Sequence, residues 1–292
     1  MNDPMDAYRR EFEYPYKKSS FFRRSWRINF PEPKHPVLHI FLFLLTVFST
    51  WIMLGPWYSL SIMIFLTAHE MGHYLMCRKY HVRATLPYFI PLPYLNPFGT
   101  MGAFIQIKSP IPDRKALFDI GAAGPLAGFV IAVPLVYIGL KMSTIVPTTT
   151  LNNDVFYLGE PLLFKSISLL ALGHIGEGYD VTLHPLAYAG WVGLFVTSLN
   201  LVPIGQLDGG HVFFSMFGKL SKKANIVFLA GFGIMSVFYP GWIFLFVLLI
   251  IFGRFHPEPM DNFSSIGVNR YLLGYIIFII FFLSFTPIPF KF

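Results

Sequence analysis

The stretch from Trp57 to Tyr80, WYSLSIMIFLTAHEMGHYLMCRKY, decides how the rest of the chain is read. At 1.5 Å per residue it is long enough to cross a hydrocarbon core of about 30 Å. Its second half nevertheless carries His69, Glu70 and His73. Ionisable groups on an apolar span are costly unless they are paired, bound to a metal or facing a watered cavity. Imidazoles at i and i+4 share one helix face, one turn apart. That spacing lets both bind one zinc ion at about 2.0–2.1 Å. Glu70 stands next to the first histidine, where its carboxylate can take a proton from a water at the metal. Chance would produce such a string on the order of once in several hundred chains of this length. A satisfied polar patch is the bland alternative, and the apolar surroundings weigh against it.

Composition agrees with a lipid environment. Hydrophobic residues make up 54% and charged residues 13%, against about 25% charged in ordinary globular domains. The formal charge of +7 comes from basic residues clustered between apolar runs, where they act as topology signals, so no nucleic-acid partner is expected. Cys77 is the single cysteine, which excludes an intramolecular disulfide and a cysteine zinc cage.

Working outward, residues 37 to 55 (VLHIFLFLLTVFSTWIMLG) form a first span, separated from the second by Gly55-Pro56. The first 36 residues are polar, and with no cleaved secretory signal evident, the first apolar run is expected to stay in the protein. Prolines punctuate residues 81 to 115, where FGTMGAFIQI has the glycines and alternation of a short hairpin. A third span runs from about Ala116 to Leu140, with Gly121, Gly124 and Gly128 spaced for ordinary close helix packing. Residues 141 to 183 read as a mostly polar loop with an amphipathic stretch at LLFKSISLLAL. A fourth span covers about His184 to Val202. The run from Ala224 to Phe252 breaks at Pro240-Gly241 into two short spans, and a last span covers about Tyr271 to Phe285. The expected fold class is an all-α polytopic membrane protein with six to seven transmembrane helices and a short membrane-associated β-hairpin. It has a polar N-terminal segment, 1–36, and one membrane domain, 37–292.

Eight basic residues before residue 36 favour a cytoplasmic N-terminus, and Arg78, Lys79, Arg83 and Lys219, Lys222, Lys223 then fall on the same side. The span bearing His69 and His73 therefore runs inward, toward the cytoplasmic face. A tetrahedral catalytic zinc needs a third protein ligand. Asp208, in NLVPIGQLDGGH (Asn200 to His211), lies at the inner end of the fourth span and is the candidate, with His211 as a rival. Asp-Gly-Gly alone reads as a turn. His174, Glu177, Asp180 and His184 read as a solvated loop on the opposite face.

HEMGH on a membrane helix, with Asn-x-x-Pro and Leu-Asp-Gly in NLVPIGQLDGG, resembles the two motifs of the site-2 protease family of intramembrane zinc metalloproteases. FGTMGAFIQIKSPIPDRKALFDIGAAGPLAG and HPLAYAGWVGLFVTSLNLVPIGQLDGGHV look like its chloroplast and cyanobacterial branch, the one without a PDZ domain. The resemblance implies one zinc ion per chain, bound by His69, His73 and Asp208, with Glu70 as general base. It implies that Asn200 holds the scissile peptide or its oxyanion, and that the segment around Gly99 and Gly102 offers a strand edge to an unwound substrate. The implied activity is hydrolysis within or near the transmembrane helix of a membrane-protein substrate in the bilayer. A metal transporter and a catalytically silent scaffold of the same fold are the alternatives. A transporter predicts polar residues stepping through several spans, whereas here they converge on one level. Oligomeric state is not readable.

Overall fold

The computed structural model describes residues 36–150, 157–253 and 259–291. Apart from Pro36, the polar N-terminal segment expected at 1–36 lies outside them. The first helix, α1, runs Pro36–Lys79 and contains a kink at Gly55, whose φ of 80° is left-handed. Pro56 forces that break: its ring disfavours a helical residue before it, and glycine accepts the positive φ without strain. The two arms fold back on each other. Thr50 Oγ1 lies 2.8 Å from Ser59 Oγ, which donates to the Val47 carbonyl at 3.0 Å. Hydroxyls buried among apolar side chains thus satisfy one another across the kink.

Strand β1 (Tyr88–Pro91) pairs antiparallel with β2 (Thr100–Phe104), Tyr88 opposite Phe104 and Ile90 opposite Gly102, with a register shift at Ile90/Pro91. The string FGTMGAFIQI therefore supplies a single strand, whose partner is YFIP upstream. The connecting loop is pinned from several sides. Asn96 Oδ1 accepts from the Phe98 and Gly99 amides, Ser49 donates to the Gly99 carbonyl at 2.5 Å, and Tyr58 donates to the Phe98 carbonyl at 3.0 Å. The pair of strands is thereby fixed to α1.

Helix α2 (Arg114–Lys141) opens on Asp113, whose carboxylate accepts from the Ala116 amide at 2.7 Å as an N-cap. Strand β3 (Thr144–Pro147) follows, then β4 (Tyr157–Leu158), α3 (Leu162–Leu172), β5 (Tyr179–Thr182) and α4 (Pro185–Asn200). The chain continues as α5 (Asp208–Phe217), α6 (Leu220–Phe238), a 3₁₀ turn at Pro240–Trp242, α7 (Ile243–Phe252), α8 (Val268–Ser284) and β6 (Phe290–Lys291). β3 pairs with β5 and β4 with β6, both antiparallel. An all-α reading missed these short pairings, because strands of two to four residues are too short to show a readable alternation.

The fold is mostly helical. By length and composition, α1, α2 and α6 are apolar enough to cross a membrane, while α3, α8 and the Pro240–Ile251 stretch are apolar but shorter. Central α2 packs on α1, α4 and α5. Around it lies one main core, with Tyr58, Phe65, Phe118, Trp191 and Leu194 fully buried. The inner arm of α1, the middle of α2 and the start of α5 meet within that core.

Candidate metal centre

Helical periodicity puts His69 and His73 on the buried face of the second arm of α1, and both are under a tenth exposed, as is Glu70. Asp208 arrives from elsewhere. After α4 the chain turns tightly through residues 201–207, and Asp208 is the first residue of α5, so Asp-Gly-Gly is a helix start and not a turn. A Cβ on Gly209 would run into the Leu201 carbonyl, and one on Gly210 would lie 2.5 Å from the Gly205 carbonyl. These two glycines let α5 begin directly against the preceding loop, which swings the Asp208 carboxylate to the histidines.

Three atoms then form a nearly equilateral triangle. His69 Nε2 and His73 Nε2 each lie 3.3 Å from Asp208 Oδ2, and 3.2 Å from each other. Ligands held about 2.0–2.1 Å from a tetrahedral zinc stand about 3.3–3.4 Å apart, so the donor set fits that ion in spacing as well as in kind. The second nitrogen of His73 supports the same reading. Its Nδ1 lies 2.7 Å from the Ile120 carbonyl, an acceptor, so Nδ1 carries the proton and Nε2 presents its lone pair to the triangle. Among the described residues, His69, His73 and Asp208 are the group able to hold a metal ion. His211, one turn along α5, is outside it, and so is the cluster of His174, Glu177, Asp180 and His184.

The other candidate residues divide. The Asn200 amide nitrogen lies 3.3 Å from His69 Nε2, at the rim of the triangle. The Ile105 amide, just beyond β2, lies beside the Glu70 carboxylate. Gly102 sits within β2, opposite Ile90, at φ +99°. Gly99 is different: its amide bonds Asn96 and its carbonyl accepts from Ser49 and from the Leu92 amide. Both of its polar groups are therefore used in anchoring the loop.

Glycines read from sequence as ordinary helix packing have a more specific place. Gly124 faces the His73 ring so closely that a Cβ would overlap it, and a Cβ on Gly128 would lie 3.2 Å from His69 Nδ1. A Cβ on Gly121 would come 2.8 Å from His211 Cβ and 3.2 Å from the Asp208 carbonyl. From the other helix, a Cβ on Gly72 would meet the Ala123 carbonyl at 2.5 Å. The glycine face of α2 is thus the wall of the triangle. Its spacing at i, i+3 and i+7 was legible, but not which helix it met. The Ile120 carbonyl and the Ile105 amide are main-chain groups and left no signal in the sequence.

A helical, membrane-type bundle around a buried two-histidine, one-aspartate group defines the class of protein. The sequence profile of peptidase family M50 matches residues 57–238. This chain belongs to that family. It is 32% identical over 240 residues to a probable zinc metalloprotease EGY2, chloroplastic, of Oryza sativa subsp. indica, covering 77% of this chain and 41% of that protein. The Arabidopsis thaliana protein of the same name is 31% identical over 239 residues, 78% of this chain and 41% of the relative. The probable zinc metalloprotease EGY1, chloroplastic, of Arabidopsis thaliana is 38% identical over 166 residues, 55% of this chain and 29% of the relative. The chain thus spans less than half the length of these curated relatives.

Proposed function

We propose that this chain is an intramembrane zinc metalloprotease, binding one zinc ion and hydrolysing a peptide bond within or near the transmembrane helix of a membrane-protein substrate. The observation that carries the reading is the His69, His73, Asp208 triangle, whose two histidines are buried with Glu70 on a helix apolar enough to cross a membrane. His69, His73 and Asp208 hold the metal. When bound, zinc polarises a carbonyl and lowers the pKa of a water toward about 7. Glu70, next to the first of the two histidines, takes the proton of the attacking water and hands it to the leaving amine. Asn200 turns its amide toward the developing oxyanion.

A helical substrate has its carbonyls engaged internally and must unwind before attack. Among the described residues β2 has one strand neighbour, β1, and its other edge replaces the substrate's lost hydrogen bonds by strand addition. Gly102 lies on that strand. Counting the two arms of α1 separately, and with α4, α6, α7 and α8 as further crossings beside α2, the bundle has seven spans, the upper end of the six to seven expected. Arg78 and Lys79 end the arm that carries His69 and His73, which supports a site toward the cytoplasmic side. The partners are a transmembrane substrate and the lipid bilayer.

The test is purified chain in proteoliposomes with a panel of single-span membrane proteins. Zinc-dependent cleavage is expected. Metal uptake without cleavage would assign a transporter, and bound zinc with neither activity a silent scaffold. Asn200→Ala should keep its zinc and lose about 10²–10³-fold in kcat, as the loss of one oxyanion donor does. Unchanged turnover would remove Asn200 from the reaction. Zinc content also separates the two carried candidates on α5: Asp208→Ala should lose the metal, and His211→Ala should keep it.

A further inference from the structure

The match to the family profile ends at Phe238, well before the last helix, yet α8 is tied by polar contacts to the part of α2 that backs the metal centre. Arg270, in the first turn of α8, grips Asp119 of α2 with both arms of its guanidinium, Nε to Oδ1 at 2.7 Å and Nη2 to Oδ2 at 2.8 Å. The Tyr80 hydroxyl donates to the same Oδ2 at 2.5 Å and lies 3.2 Å from Arg270 Nη2. Lys79 Nζ stands 3.8 Å from that oxygen. The Arg270 and Asp119 side chains are 29% and 15% exposed, so the pair is largely withdrawn from solvent.

Its position gives this network its meaning. Asp119 precedes Ile120, whose carbonyl orients His73, and stands two residues before Gly121, which backs Asp208. Tyr80 follows the last turn of α1, seven residues beyond His73. Between these points α1 and α2 meet closely through Gly72, Ala123 and Gly124, with the His73 ring seated directly on Gly124, so the placing of that ring depends on the register of the two helices. A slide of one residue is 1.5 Å, enough to break the bond from His73 to Ile120. A bidentate fork is directional in both distance and angle. We propose that Asp119, held by Arg270 and Tyr80, is a positioning group that sets the register of α2 against α1 and so orients His73 and Asp208 for the metal. This rests on the proposed zinc site.

The test measures metal affinity in the full chain, by chelator competition for zinc and by the visible absorption of the cobalt(II)-substituted protein. Removing one charge alone would strand its partner, so the main variant is the double Asp119→Asn, Arg270→Gln. It should stay folded in detergent, release zinc at about 10–100-fold lower chelator concentration, and show an altered cobalt spectrum. Ile277→Ala, which opens a cavity at a fully buried position of α8, should lower the melting temperature and leave metal affinity unchanged. Wild-type affinity in the double variant, or an equal loss in Ile277→Ala, overturns the inference. Should the double variant fail to fold, Arg270→Lys keeps the charge without the fork. It should loosen zinc to an intermediate degree, and wild-type affinity there overturns the inference as well. A wild-type chain that binds no zinc instead refutes the metal site itself.

Discussion

Glu70→Gln should keep one zinc per chain and lose about 10²–10⁴-fold of the cleavage rate, the range that a positioned general base contributes. The substitution is nearly isosteric. Glutamine's carbonyl oxygen can still face the Ile105 amide beside the carboxylate, and the three donor atoms of the metal group are untouched. Only the ability to accept and return a proton is removed. His69→Ala makes the contrast, since it should lose both zinc and cleavage. Zinc measured by elemental analysis, beside cleavage of a reconstituted substrate, therefore separates binding from proton transfer. Full activity in Glu70→Gln would sink the role given to this residue.

Glu70, His69 and His73 could be singled out because their information is local: two ligands and a carboxylate on one turn of helix need nothing from the rest of the chain. The kink at Gly55-Pro56 and the break at Pro240-Gly241 were legible for the same reason, each being set by residues beside it. Asp208 is a different case. It stands 135 residues beyond His73 in the sequence, and what delivers it is close packing of Gly209 and Gly210 on a loop whose path depends on α4. Spacing alone left that segment as a turn. The β-pairings of residues 144–147 with 179–182 were hidden in the same way, since neither strand has a burial pattern of its own to betray its partner. Asp119 and Arg270 are separated by 151 residues. A single arginine or aspartate on an apolar helix announces that it needs a partner, but not where that partner lies.

Gly124→Ala should abolish zinc binding and cleavage while leaving the chain inserted and helical by circular dichroism. The added methyl would fall on the His73 ring itself. The ring has little freedom to retreat, since Nδ1 is held by the Ile120 carbonyl and Nε2 belongs to the triangle with His69 and Asp208. The helices cannot easily part to make room, because Gly72 already lies against the Ala123 carbonyl in the same contact. Overpacking of this kind commonly costs about 1–3 kcal/mol, a strain the whole bundle can bear. The metal site cannot, because turning His73 away removes one of three ligands. Gly231→Ala in α6 is the matched control: a Cβ there meets nothing within 4 Å, and alanine is the better helix former by about 1 kcal/mol. It should bind zinc as the parent does. If Gly124→Ala also bound a full equivalent of zinc, α2 could not be the wall of the site, and the register argument built on Ile120 and Asp119 would fall with it.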